Sequence, residues 1–180
     1  MTQFIRVFQA AAVFLVLATG AFADGATVLT VTGSVGDANR GMYDESTDKF
    51  FGYHEVDFDK AHAFSLTDLA ALAQVTVKAD FPKGGDVHSF SGPTLADVLG
   101  AARATGETVT IQALDGYAVE APLSEMIAQG AVVATSRDGK PLGIGDFGPT
   151  WVVFPRADRA ELKDMPDDRW IWSIFHIHVE

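Results

Sequence analysis

An α+β domain dominated by β structure is predicted by three features of the sequence. Short apolar runs with period-two alternation recur along the chain, most clearly in Val75-Thr76-Val77-Lys78-Ala79-Asp80-Phe81. Turn formers separate them at close intervals, as in Pro82-Lys83-Gly84-Gly85, Asp115-Gly116 and Asp138-Gly139. Only a few stretches carry helical spacing, and each is short. About seven strands and three short helices make up this class.

The chain opens with Arg6 as its only charge before Asp24, an apolar run from Ala10 to Leu17, and then Ala21-Phe22-Ala23. A basic start, a short apolar core and small residues before a cleavage point form a secretory signal. Cleavage is expected after Ala23, leaving residues 24–180 as one exported, periplasmic domain. A membrane anchor is the competing reading, but a spanning helix needs roughly 20 apolar residues, and Thr19 and Gly20 interrupt this run. No other stretch is suited to crossing a bilayer, so no membrane insertion is expected after cleavage.

The whole chain carries 13 basic and 24 acidic residues, net charge −11, and losing Arg6 with the signal makes that −12. Such acidity argues against nucleic acid, where neutralisation of phosphates by Lys and Arg dominates affinity, and equally against an anionic membrane surface. A domain of this length buries a core without staples, and with no cysteine it has no disulfide to use.

The first strand is expected over Val28–Val35, where valines and a leucine interleave with Thr30, Thr32 and Ser34. Residues 37–53 have no period and many turn formers, so they read as a long loop. Its Phe50, Phe51 and Tyr53 either line a ligand mouth or pin the loop to the core. A short strand is expected over Glu55–Asp59. Ser65 then caps a one- to two-turn helix carrying Leu66, Leu69 and Leu72. Val75–Phe81 is a strand that stops at Pro82. Thr94–Thr105 places Leu95, Val98, Leu99 and Ala102 on one helical face, with Pro93 suiting the start and Gly106 the end. A hairpin follows, Val109–Leu114 turning at Asp115-Gly116 into Tyr117–Ala121. Ser124–Gln129 is a short helix stopped by Gly130, and Ala131–Ser136 is a strand before the tight turn Arg137-Asp138-Gly139-Lys140. Trp151–Phe154 is an apolar strand, residues 156–169 are a charged loop, and Trp170–Val179 is the closing strand.

The segment Phe90 to Pro155 holds four motifs in order. They are Phe-x-Gly-x-x-Leu-x-Asp-Val-Leu from Phe90, Asp115-Gly116-Tyr117, Asp138-Gly139-x-Pro141-Leu142, and Gly148-Pro149 followed after five intervening residues by Pro155. In these the chain resembles the oxidoreductase molybdopterin-binding domain, the sulfite-oxidase fold, and within it the short exported bacterial members. The resemblance covers roughly Val28 to the C-terminus. It implies a mixed-sheet β-dominated fold and a molybdopterin-type cofactor. In catalytic members a cysteine thiolate ligates molybdenum from the loop after the strand that here is Val75–Phe81. This chain has Phe81-Pro82-Lys83-Gly84 there and no cysteine at all, so the resemblance implies a scaffold without its usual metal ligand.

On that reading the candidate cofactor-binding residues are Lys83, His88, Asp115, Gly116, Tyr117 and Arg156, with Arg137 and Lys140 as further basic groups for a pterin phosphate. Tyr117 either donates to a bound anion or packs across the hairpin. His176 and His178 are two apart on a strand and share a face. They form either half a metal site or an ordinary strand face, and the spacing supplies no third ligand. His54, His62 and His88 are scattered through loops. Trp151, Trp170 and Trp172 either wall a flat heterocycle or fill the core. Gly143, Gly145 and Gly148 make a supple loop that allows a ligand close to the backbone. Two functions follow: a molybdopterin-binding oxidoreductase-like protein, and a non-catalytic ligand-binding or sensory module on the same fold. Their expected partners are a small-molecule or pterin ligand and a periplasmic or membrane-anchored protein.

Overall fold

The computed structural model describes residues 25–180, so the expected signal segment lies outside the described residues. Among the described residues, no helix is long and apolar enough to cross a membrane. The first half of the chain supplies strands β1 (Thr27–Gly33), β2 (His62–Ser65), β3 (Gln74–Asp80) and β4 (Val87–Pro93), with helices α1 (Lys49–Tyr53), α2 (Leu66–Ala71) and α3 (Leu95–Ala101). The second half adds β5 (Thr108–Ala113), β6 (Ala118–Pro122), helix α4 (Leu123–Ala128), β7 (Val132–Ala134), β8 (Ser136–Arg137), β9 (Lys140–Pro141), β10 (Trp151–Val153) and β11 (Ile174–Val179).

The strands build a five-stranded sheet in the order β2-β1-β11-β5-β6, a four-stranded sheet in the order β3-β4-β8-β9, and the pair β10-β7. In the first sheet β1 and β11 run parallel while every other neighbour is antiparallel. The fold is thus α+β with a mixed sheet and few short helices, as the sequence predicts. Its helices start where hydroxyls accept orphan N–H groups. Ser65 and Asp68 cap α2 reciprocally, and Thr94 accepts from the Asp97 N–H at 3.0 Å to start α3.

Alternation sorts the central sheet into two faces. Leu29 and Val31 of β1, Val109 and Ile111 of β5, and Ile177 and Val179 of β11 are all fully buried on one face. The register places Thr30 beside His176 and Thr32 beside His178, with Gln112 and Thr110 next across β5, so the other face carries a polar stripe. Each large apolar side chain taken out of water contributes about 1.5–3 kcal/mol, and Trp151, Trp170, Phe90 and Phe154 extend that core toward the second sheet. Gly92 belongs where β4 crosses β7, because a Cβ there would meet the Val133 carbonyl.

Four expectations need correction. The strand expected over Glu55–Asp59 is irregular chain. Glu55 turns left-handed at φ 55°, and the Val56 N–H goes back to the Phe51 carbonyl rather than to a neighbouring strand. The strand there is β2, unforeseen, and β4 was equally unforeseen among its serines and glycine. The run expected as one strand over Ala131–Ser136 divides at Thr135, β7 pairing with β10 and β8 with β4. Residues 37–53 are not all loop, since α1 forms within them. The closing strand starts at Ile174, because Ser173 turns left-handed at φ 51° and the pairing with β5 shifts between Ile174 and His176.

Candidate functional site

A cleft of about 400 Å³ opens between α1 and the polar-face edge of the central sheet. That volume lies within the range small ligands occupy, about 300–1,000 Å³. Phe50 and Phe51 of α1 and Phe175 of β11 form its aromatic wall, Phe175 standing 4.9 Å from Phe50 and 5.6 Å from Phe51 between ring centroids. The bulge at the start of β11 matters here, since it lets Phe175 and Ile174 both reach the cleft. Leu114 comes from the β5–β6 turn, while Ile144 and Pro149 come from the glycine-rich loop before β10. Of the aromatics expected at a ligand mouth, Phe50 and Phe51 are there. Tyr53 is 81% exposed and does not line the cleft.

An ion pair between Arg40 and Asp48 forms the polar end. Arg40 lies over the rings of Phe51 at 4.9 Å and Phe58 at 5.1 Å, and Asp48 also accepts the Asp44 N–H at 3.0 Å. The pair ties the irregular segment after β1 into one piece. Neither residue stands out in the sequence. They lie eight positions apart in a stretch without period, and only their opposite charge within a loop could have pointed to them.

Three of the candidate cofactor residues converge elsewhere, on the segment 164–168. Arg156 is 3% exposed and four of its five guanidinium N–H groups have acceptors: Nε donates to Asp80 at 2.6 Å, Nη1 to Asp167 at 2.7 Å and to the Met165 carbonyl at 2.8 Å, and Nη2 to the Asp80 carbonyl. It also sits 4.5 Å over the Trp170 ring. Lys83 donates its N–H to Asp167 at 2.9 Å and holds Nζ 3.7 Å from Asp164. Tyr117 donates its hydroxyl to the Asp168 carbonyl at 2.8 Å, while Asp115 accepts the Tyr117 N–H at 2.9 Å and Gly116 supplies the φ of 91° that closes the hairpin. His88 lies apart from them on β4, with Nδ1 2.7 Å from Asp138. Asp138 is held below the usual carboxylate range, by the Ser89 N–H first and His88 second.

Phe81 occupies the start of the loop where the resemblance puts a thiolate. Its ring stacks on Trp170 at 5.6 Å and meets Trp151 at 5.2 Å and Trp172 at 5.8 Å edge-on, with Phe147 closing the cluster 5.3 Å from Trp172. The indole Nε1 atoms of Trp151 and Trp170 are buried there without a partner. Beyond Phe81 the loop offers Pro82 and the engaged Lys83. This donor set does not fit a thiolate-ligated molybdenum, and Arg156 is buried and turned to Asp80, Asp167 and two carbonyls rather than toward a pterin phosphate.

The histidine pair meets through one hydroxyl. Thr32 Oγ1 lies 2.7 Å from His176 Nε2 and 3.0 Å from His178 Nδ1. Burial first, and the neighbouring His178 second, lower the His176 pKa to about 4, so the ring is neutral. Among the described residues, no group of three or more His, Cys, Asp or Glu is placed to hold a metal.

Among solved structures, the sulfane dehydrogenase SoxCD from Paracoccus pantotrophus is similar to this chain over 84% of its length, with a TM-score of 0.55 and 14% identity. The two share a fold. This chain spans 37% of that chain, so the match concerns one part of the larger protein. Neither a family model nor a curated protein matches the sequence.

Proposed function

We propose that the chain is an exported, periplasmic protein of the molybdopterin-oxidoreductase type that keeps the scaffold and lacks the metal chemistry. It works as a binding module, taking a small ligand in the cleft beneath α1 and passing the bound state to a periplasmic or membrane-anchored partner. One observation carries this reading. The loop after β3 presents Phe81 inside a closed aromatic cluster, where catalytic relatives by resemblance present a thiolate.

The test is molybdenum and pterin content per chain, on protein made with its own signal segment in a cofactor-competent host. Both are expected at background. Near-stoichiometric amounts of both would reject the binding-module reading.

The fold shared with a sulfane dehydrogenase favours a second reading, an oxidoreductase-like protein that binds a molybdopterin-type cofactor without a protein thiolate. Under it Lys83→Ala should lower cofactor retention, since it removes a charge-assisted contact.

A further inference from the structure

Resting on the binding-module reading, we propose that the cleft beneath α1 takes a flat, uncharged aromatic molecule carrying a hydrogen-bond acceptor on its edge. The aromatic wall sets the shape. Phe50, Phe51 and Phe175 give a planar guest faces and edges to pack against, which aromatic rings prefer at centroid separations of about 4.5–7 Å. The mouth sets the polarity. Phe50 is 43% and Ile144 78% exposed, so this acidic chain leaves apolar surface open to water where the cleft begins.

Charge and acceptor follow from Arg40 and Asp48. Because each neutralises the other, the site offers little net attraction to an ion of either sign. An anion would also meet the Asp48 carboxylate and a chain of net charge −11. Yet only Nη2 of the guanidinium has a protein acceptor among the described residues, which leaves donors for a carbonyl or ring nitrogen. A purely hydrocarbon guest, such as a fatty chain, would leave those donors unused. Thr27 and Thr47 also line the cleft, Thr47 with its side chain hydrogen-bonded to Asp44.

The probe is prodan, an uncharged two-ring ketone whose fluorescence rises on leaving water, titrated into the purified protein. One saturable site is expected. Ile144→Glu, which places a carboxylate at the mouth on an exposed side chain, should weaken binding about tenfold or more. Val87→Glu, the same aliphatic-to-carboxylate change at an exposed position outside the cleft, should leave affinity unchanged. In competition, 2-acetylnaphthalene should displace prodan at least about tenfold better than 2-naphthoate, its anionic counterpart. Absence of saturable binding, equal affinity in Ile144→Glu, or naphthoate competing as well as the ketone would each overturn the assignment. Molybdenum and pterin content on the same preparation reads the underlying module hypothesis separately.

Discussion

Asp80 and Arg156 meet at 2.6 Å, Oδ1 to Nε, although they lie 76 positions apart, one closing β3 and the other following β10. The contact fastens the four-stranded sheet to the charged segment after β10. Arg156 is 3% exposed, so its charge is supported only by what surrounds it. Removing one partner of a buried pair costs about 3–5 kcal/mol. Asp167 and two carbonyls remain for Arg156, so Asp80→Asn should fall at the low end, about 3 kcal/mol. Urea denaturation measures this, and a loss within error of zero would show that Asp167 alone suffices. Burial pushes the Asp80 carboxyl up, but the Arg156 and Gly84 donors outweigh it and the net pKa is lowered. The stabilisation is therefore whole above the ordinary value of 3.8 and is lost as pH falls through the lower folded value.

His176 has the opposite chemistry and a higher window. Its folded pKa of about 4 lies below the ordinary 6.5, so the unfolded chain binds the extra proton between them. Stability should be full above 6.5 and decline as pH falls toward 4, by up to about 3 kcal/mol. The groups that face it are His178 and Thr32 on the sheet and the Phe51 ring above, with Glu180 3.8 Å from His178. Thermal melts across this range should show the decline in the parent protein and a flatter profile in His176→Gln. Equal slopes would mean that His176 titrates normally.

Thr32 offers one proton and two lone pairs to two imidazoles, so its hydroxyl donates to one ring at most and at least one ring donates to its oxygen. Thr32→Val keeps the shape and leaves both ring nitrogens unpaired, at a cost of about 1–3 kcal/mol. Thr32→Ser should recover most of it, since the hydroxyl returns. If valine and serine variants melt alike, the hydroxyl is not what holds the histidines.

The reading from sequence succeeded where local chemistry decides the outcome. Strict alternation in Val75–Phe81, the Ser65 cap, the helical face of Leu95, Val98 and Leu99 and the Asp115-Gly116 turn each depend on neighbours within a few residues, and each is present. It failed where partners are remote. His62–Ser65 becomes a strand because β1 lies beside it, and Val87–Pro93 because β3 and β8 do, neither of which leaves a period in the sequence. The cleft was partly legible: Phe50 and Phe51 drew attention by type, and the glycine loop that supplies Ile144 by its Gly143, Gly145 and Gly148, though Ile144 itself did not. Arg40, Asp48 and Phe175 join them only through folding, Phe175 by a bulge that the alternation of the closing strand conceals.

The parallel pairing of β1 with β11 sets a condition on how the molecule is made. Thr30 lies opposite His176 and Thr32 opposite His178, so the middle of the five-stranded sheet joins segments from opposite ends of the described chain. Until Ile174–Val179 is available, β1 has only β2, and β5 has only β6. Each of those is a lone hairpin-like pair, marginal in water. A chain still lacking β11 therefore cannot assemble its central sheet. Assembly waits for the final strand and closes a long loop when it comes, which places this domain among slow, late folders rather than those that fold as they emerge.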